Sequence, residues 1–133
     1  MAQAFRDLQA WQRSMQLAVA TCELTKEFPR EEIYGITSQV RRSAVSIPSN
    51  IAEGHGRLKV GEFRQFLGIA RGSTYELQTQ LELAKMLGLG NPSLIEQTLG
   101  LSHEVGKMLF ALLEFLKAVG SENRQLITED GQL

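Results

Sequence analysis

Between Phe63 and Ala84, apolar and small residues return on a seven-residue rhythm: Phe63, Leu67, Ala70, Thr74, Leu77, Leu81 and Ala84. A helix carrying such a stripe cannot bury it alone, so another helix must lie along it for most of its length. Three further segments carry helical periodicity. Leu8, Trp11, Met15, Ala18 and Cys22 recur at three- and four-residue steps after Asp7, a candidate N-cap, with Leu17, Leu24 and Phe28 widening the stripe. Pro29 ends that helix, because the residue before a proline is pushed out of helical geometry. Ile36, Val40, Ser43, Ile47 and Ile51 form the apolar face of a second helix, which runs to about Gly54. Gly54-His55-Gly56 supplies the backbone freedom of a cap and turn. The rhythmic third helix starts near Val60 and stops at Gly88-Leu89-Gly90. Asn91-Pro92 then opens a fourth with a capping amide and a proline at the first helical position. Leu94, Leu101, Val105, Met108, Leu112, Phe115 and Val119 line it, and Leu99, Leu109, Leu113 and Leu116 add apolar surface around it. No segment reads as a strand. Short connections between long amphipathic helices predict an all-α fold, an antiparallel up-down-up-down four-helix bundle over residues 1–119. Residues 120–133 lack periodicity and read as a flexible C-terminal tail.

A chain of 133 residues has room for one core. A hydrophobic fraction of 43% against 22% charged residues excludes disorder for most of it. The longest apolar run, Met108–Leu113, falls far short of the ~20 residues a bilayer requires, so no membrane span is expected. The N-terminus lacks the basic start and apolar stretch of a secretory signal, and the expected compartment is the cytoplasm. The single cysteine, Cys22, cannot form an internal disulfide and reads as a packing residue.

The segment Gln39–Arg57, QVRRSAVSIPSNIAEGHGR, sets a proline inside a helical pattern, where it costs about 3 kcal/mol. Charge is also concentrated here. From Gln39 to Arg71 the basic residues are Arg41, Arg42, Arg57, Lys59, Arg64 and Arg71, against only Glu53 and Glu62, although the whole chain has a formal net charge of −1. Such polarisation favours an anionic partner; the competing reading is that these cations are solvated or pair with acidic residues of a neighbouring subunit. Gly68 and Gly72 lie one turn apart in the third helix, each costing about 1 kcal/mol relative to alanine, and leave a bare strip that another backbone can approach.

These motifs carry a resemblance. FRDLQAWQ near the start, QVRRSAVSIPSNIAEGHGR, and EFRQFLGIARGSTYELQTQL after it are similar to the bacterial four-helix-bundle proteins first noticed inside intervening sequences of large-subunit ribosomal RNA genes. The resemblance covers about Phe5 to Val119. It implies a four-helix bundle assembled as a ring-shaped homopentamer. It also implies kinship with the accessory protein of diversity-generating retroelements, where a basic barrel is implicated in nucleic-acid contact. Arg41, Arg42, Ser46, Pro48, Asn50, Glu53, Gly54, Arg57, Phe63, Arg71, Gly72 and Ser73 match its motifs. Lys59 departs from them, standing where the family often has a small capping hydroxyl.

Three function classes follow. In the first, Arg41, Arg42, Arg57, Lys59, Arg64 and Arg71 neutralise phosphates of RNA or DNA, and repetition around a homo-oligomer turns modest affinity into avidity. The pattern is read as lacking aromatics placed for base stacking, so recognition is expected of backbone or shape rather than sequence. In the second, Val45, Pro48, Asn50, Ala52, Gly68 and Gly72 form an interface with another copy or a protein partner, without nucleic-acid contact. The third, an enzyme, is disfavoured. Neither His55 nor His103 follows a glutamate at the three-residue offset of a di-metal bundle, no nucleophile elbow or phosphate loop is present, and Cys22 has no neighbouring base. No metal and no cofactor are expected.

Overall fold

The computed structural model describes residues 4–130, with side chains for 4–120. A short 3-10 turn, Phe5–Asp7, leads into α1 (Gln9–Thr25). A second, Arg30–Glu32, precedes α2 (Ile36–His55), and α3 (Val60–Met86) and α4 (Pro92–Asp130) follow. Each helix packs on its neighbours in the chain and α4 closes back on α1, while the diagonal pairs do not pack among the described residues. With short connections, this is the antiparallel up-down-up-down bundle that the periodicity predicts.

All seven residues of the α3 rhythm are buried. On α2 the expected stripe is also the buried one, Ile36 being partly covered and Ala44, Pro48 and Gly54 joining it. The remaining helices are rotated relative to expectation. On α1 the buried residues are Ala10, Ser14, Leu17, Thr21, Leu24 and Thr25, whereas Met15 is 40% exposed. The small hydroxyls misdirect an apolar count. Ser14 donates to the Trp11 carbonyl at 2.8 Å, Thr21 to that of Leu17 at 2.8 Å and Thr25 to that of Cys22 at 3.1 Å, so each enters the core already satisfied. The same device recurs on α4, where Thr98 and Ser102 are buried and bonded to the carbonyls of Leu94 and Leu99. There Ile95, Leu99, Val105, Leu109 and Leu116 form the core, and Phe115, expected inside, is 53% exposed.

The helix ends follow local chemistry. Asp7 lies in the first 3-10 turn rather than capping α1, whose N-cap is Leu8 and carries no side-chain bond. Thr25 ends α1 four residues before Pro29. At the far end of the bundle, the amides of Gly88 and Leu89 bond back to the carbonyls of Lys85 and Ala84, with Gly88 left-handed at φ 71°. Asn91 then caps α4 as expected, its Oδ1 accepting from Ser93 N at 2.8 Å and Leu94 N at 3.2 Å. A Lys85–Glu96 ion pair of 2.6 Å ties the two helices across this turn. Its hydrogen bond and charge raise the Lys85 pKa, so any stabilisation it gives is present below the ordinary lysine range and lost as pH rises through the raised value. α4 continues past Val119, where periodicity marks the end of the bundle, because nothing between Gly120 and Asp130 breaks a helix once propagated. Residues 131–133 of the expected tail lie outside the described residues.

Candidate nucleic-acid interface

The seam between α2 and α3 is polar, and its polar side chains bond to one another. Ser43 Oγ donates to Glu76 Oε1 at 3.1 Å, and Ser46 and Ser73 share a hydroxyl–hydroxyl bond of 2.9 Å. The Asn50 amide donates to the Ser46 carbonyl at 2.8 Å and to its hydroxyl at 3.0 Å, supporting the turn that carries Pro48. Proline leaves its own i−4 carbonyl, that of Ala44, without a helical donor, and the Asn50 amide braces the adjacent turn through Ser46 rather than replacing that bond. Pro48 itself is buried within the subunit. The close approach of backbones occurs at Gly54, where a Cβ would lie 2.6 Å from Phe66 Cβ and 3.3 Å from the Phe63 carbonyl. Gly54 is therefore glycine for room. Gly56 caps α2 as the turn reading expects, in right-handed geometry at φ −74°.

The six cations distribute over several surfaces of the bundle. Arg41 turns toward α1, its Nε donating to Thr25 Oγ1 at 2.8 Å. Arg42 donates to Ser38 Oγ at 3.2 Å and lines a cleft of about 200 Å³ with Ser43, Ser46, Ser73 and Glu76. Arg57 and Lys59 sit at the α2–α3 turn. Arg57 pairs with Glu53 at 3.3 Å and lies 4.8 Å from the centre of the Phe66 ring. Lys59 is exposed as the N-cap of α3 and makes no side-chain cap bond, so the helix starts at Val60 without the hydroxyl it replaces. Arg64 and Arg71 stand seven residues apart on one flank of α3. The Nε of each is buried with no hydrogen-bond partner among the described residues.

Arg71 stands against an aromatic pair that sequence reasoning missed. Its guanidinium lies 5.4 Å from the ring centres of both Tyr75 and Phe110 and donates to the Tyr75 hydroxyl at 3.0 Å. Tyr75 is 51% exposed and Phe110 50%. Together with Gln78, His103, Gly106 and Lys107 they line a groove of about 320 Å³ between α3 and α4. The Arg71–Tyr75 half was readable as an i, i+4 pair on one helix. Phe110 and Lys107 reach the groove only through the α3–α4 packing, which no local spacing encodes.

The expected interface residues also separate. Val45 is exposed and Ala52 partly so, Asn50 belongs to the α2–α3 seam, and Gly68 and Gly72 lie open on α3, with nothing within 4 Å of a Cβ at either. Among the described residues no group of three or more His, Cys, Asp or Glu side chains could hold a metal ion, and no helix is long and apolar enough to cross a membrane.

The family model described as 23S rRNA-intervening sequence protein matches residues 6–111. Among solved structures, the chain is similar to a protein of unknown function from the S23 ribosomal protein family of Bacteroides thetaiotaomicron VPI-5482. The two are 25% identical with a TM-score of 0.73, over 79% of this chain and 95% of that one. No curated protein matches.

Proposed function

Because the chain belongs to the 23S rRNA-intervening sequence protein family, we propose that it is a non-enzymatic helical bundle that assembles with copies of itself and holds the phosphate backbone of RNA or DNA. The observation that carries this reading is the state of the cations. Of Arg41, Arg42, Arg57, Lys59, Arg64 and Arg71, only Arg57 has a carboxylate within salt-bridge distance among the described residues. The subunit leaves most of this positive charge uncompensated, which is what a phosphate-binding surface needs. Repetition in a homo-oligomer, a pentamer by family resemblance, would present the same cations several times to one strand.

A salt titration of RNA binding tests it. Log affinity should fall linearly with log salt, and replacing Arg64 or Arg71 by glutamine should lower that slope by about 1 for each phosphate contact removed. Absence of binding at low salt would defeat it.

A second reading has an observation of its own. Val45, Ile69 and Phe115 are about half exposed on three different helices, apolar side chains that a protein partner could cover. A scaffold or accessory subunit that binds protein without nucleic acid would use that surface, and would show assembly with no salt-dependent RNA affinity.

A further inference from the structure

The α3–α4 groove differs from the other cation positions in offering exposed ring faces next to positive charge, and we propose that it binds an unpaired base, with its adjoining phosphate, of a single-stranded nucleic acid. The inference rests on the nucleic-acid reading above and narrows it from backbone in general to single strands at one named site.

Tyr75 on the α3 wall and Phe110 on the α4 wall each leave about half their surface open. A ring face at a groove is a stacking platform for a base whose own faces are free; in a duplex those faces are already stacked. Arg71 stands against both rings at 5.4 Å, so the platform is held by a cation rather than by an aliphatic side chain. Its bond to the Tyr75 hydroxyl orients one ring, and its buried Nε finds no acceptor among the described residues. Lys107 and His103 line the α4 side, and no carboxylate lines the groove, so its charge is complementary to phosphate. The volume, about 320 Å³, is at the lower end for ligand sites and suits one nucleotide unit. Gly106 keeps the groove open. A Cβ there would meet only Thr74 Cγ2, at 3.9 Å, an ordinary contact, so a side chain can start from this position without a clash at its first atom.

The test measures fluorescence anisotropy of a labelled oligouridylate, an abasic strand of the same length and a matching duplex, against wild type and the Tyr75→Leu, Phe110→Leu and Gly106→Leu variants. Wild type should bind the oligouridylate more tightly than the abasic strand or the duplex. Each ring variant should weaken oligouridylate binding roughly tenfold while leaving abasic binding unchanged. Gly106→Leu should weaken it comparably by filling the groove, with helical content retained. A 4-thiouridine strand should cross-link to wild type at peptides containing Tyr75 or Phe110, a readout independent of any variant's folding. Oligouridylate binding unaltered in all three variants, with its salt dependence intact, would overturn the groove and leave backbone binding standing. Equal loss for the abasic strand would show that the rings act only through the fold, and would also overturn it. A change in native mass for Gly106→Leu with binding unchanged would assign the groove to a second copy of the chain instead. No wild-type binding to any probe at low salt would remove both readings together.

Discussion

The two long sides of α3 are built on opposite terms. Toward α2, the helix meets a glycine that leaves no room, two serines bonded to each other, and a carboxylate bonded to a third serine. Toward α4, beyond the same buried row of leucines, it presents an arginine and a tyrosine that meet a phenylalanine of α4 around an open groove with no carboxylate. One side spends most of its polar groups on each other, around a smaller cleft beside Arg42. The other leaves donors and ring faces for something else. Satisfied polar groups rigidify a seam, whereas half-exposed rings beside an unpaired cation contribute little to folding and are suited to recognition.

Substitutions that press on one side should leave the other intact. The largest effect is expected at Gly54. Gly54→Ala places a methyl group 2.6 Å from Phe66 Cβ and should destabilise by about 2 kcal/mol, lowering Tm by roughly 5–12 °C, without altering nucleic-acid affinity of the folded protein. An unchanged Tm would show that α2 and α3 can separate there at no cost, and the close approach described at this seam would fail. Next comes Asn50→Ala, which removes the amide from the Ser46 carbonyl and hydroxyl. Urea denaturation should report a loss of about 1 kcal/mol. A midpoint equal to wild type would mean that water replaces the amide without penalty. The smallest effect belongs to Gly72→Ala on the open face of α3. With nothing within 4 Å of the new methyl, it should stabilise by about 0.5–1 kcal/mol through helix propensity alone. A loss of assembled mass in this variant would instead identify Gly72 as a contact between copies.

What the sequence reveals about this bundle tracks how local the physics is. α3 is legible to the residue, since every member of its rhythm is apolar or a threonine bonded to its own helix, as Thr74 is to the Ala70 carbonyl. The Asn91-Pro92 start of α4 is legible for the same reason, a cap being a contact between near neighbours. α1 is misread by part of a turn because Ser14, Thr21 and Thr25 count as polar in a pattern but behave as small core residues once their hydroxyls bond backwards. The glycines divide by what the subunit itself places opposite them. Gly68 and Gly72 have the spacing of a close approach yet stand open, and Gly54, read as turn chemistry, makes the close approach, because which helix lies opposite is set by packing rather than spacing. The basic residues are countable in sequence, but their distribution over the bundle and the Phe110 ring facing Arg71 arise only when α4 folds back along α3.

Native mass spectrometry of protein purified without nuclease tests the central claim, that uncompensated cations on a repeating helical bundle hold nucleic acid. The account predicts masses at a fixed multiple of the subunit, accompanied by additional mass that ribonuclease or deoxyribonuclease removes. A single-subunit mass with no nuclease-sensitive component would contradict it.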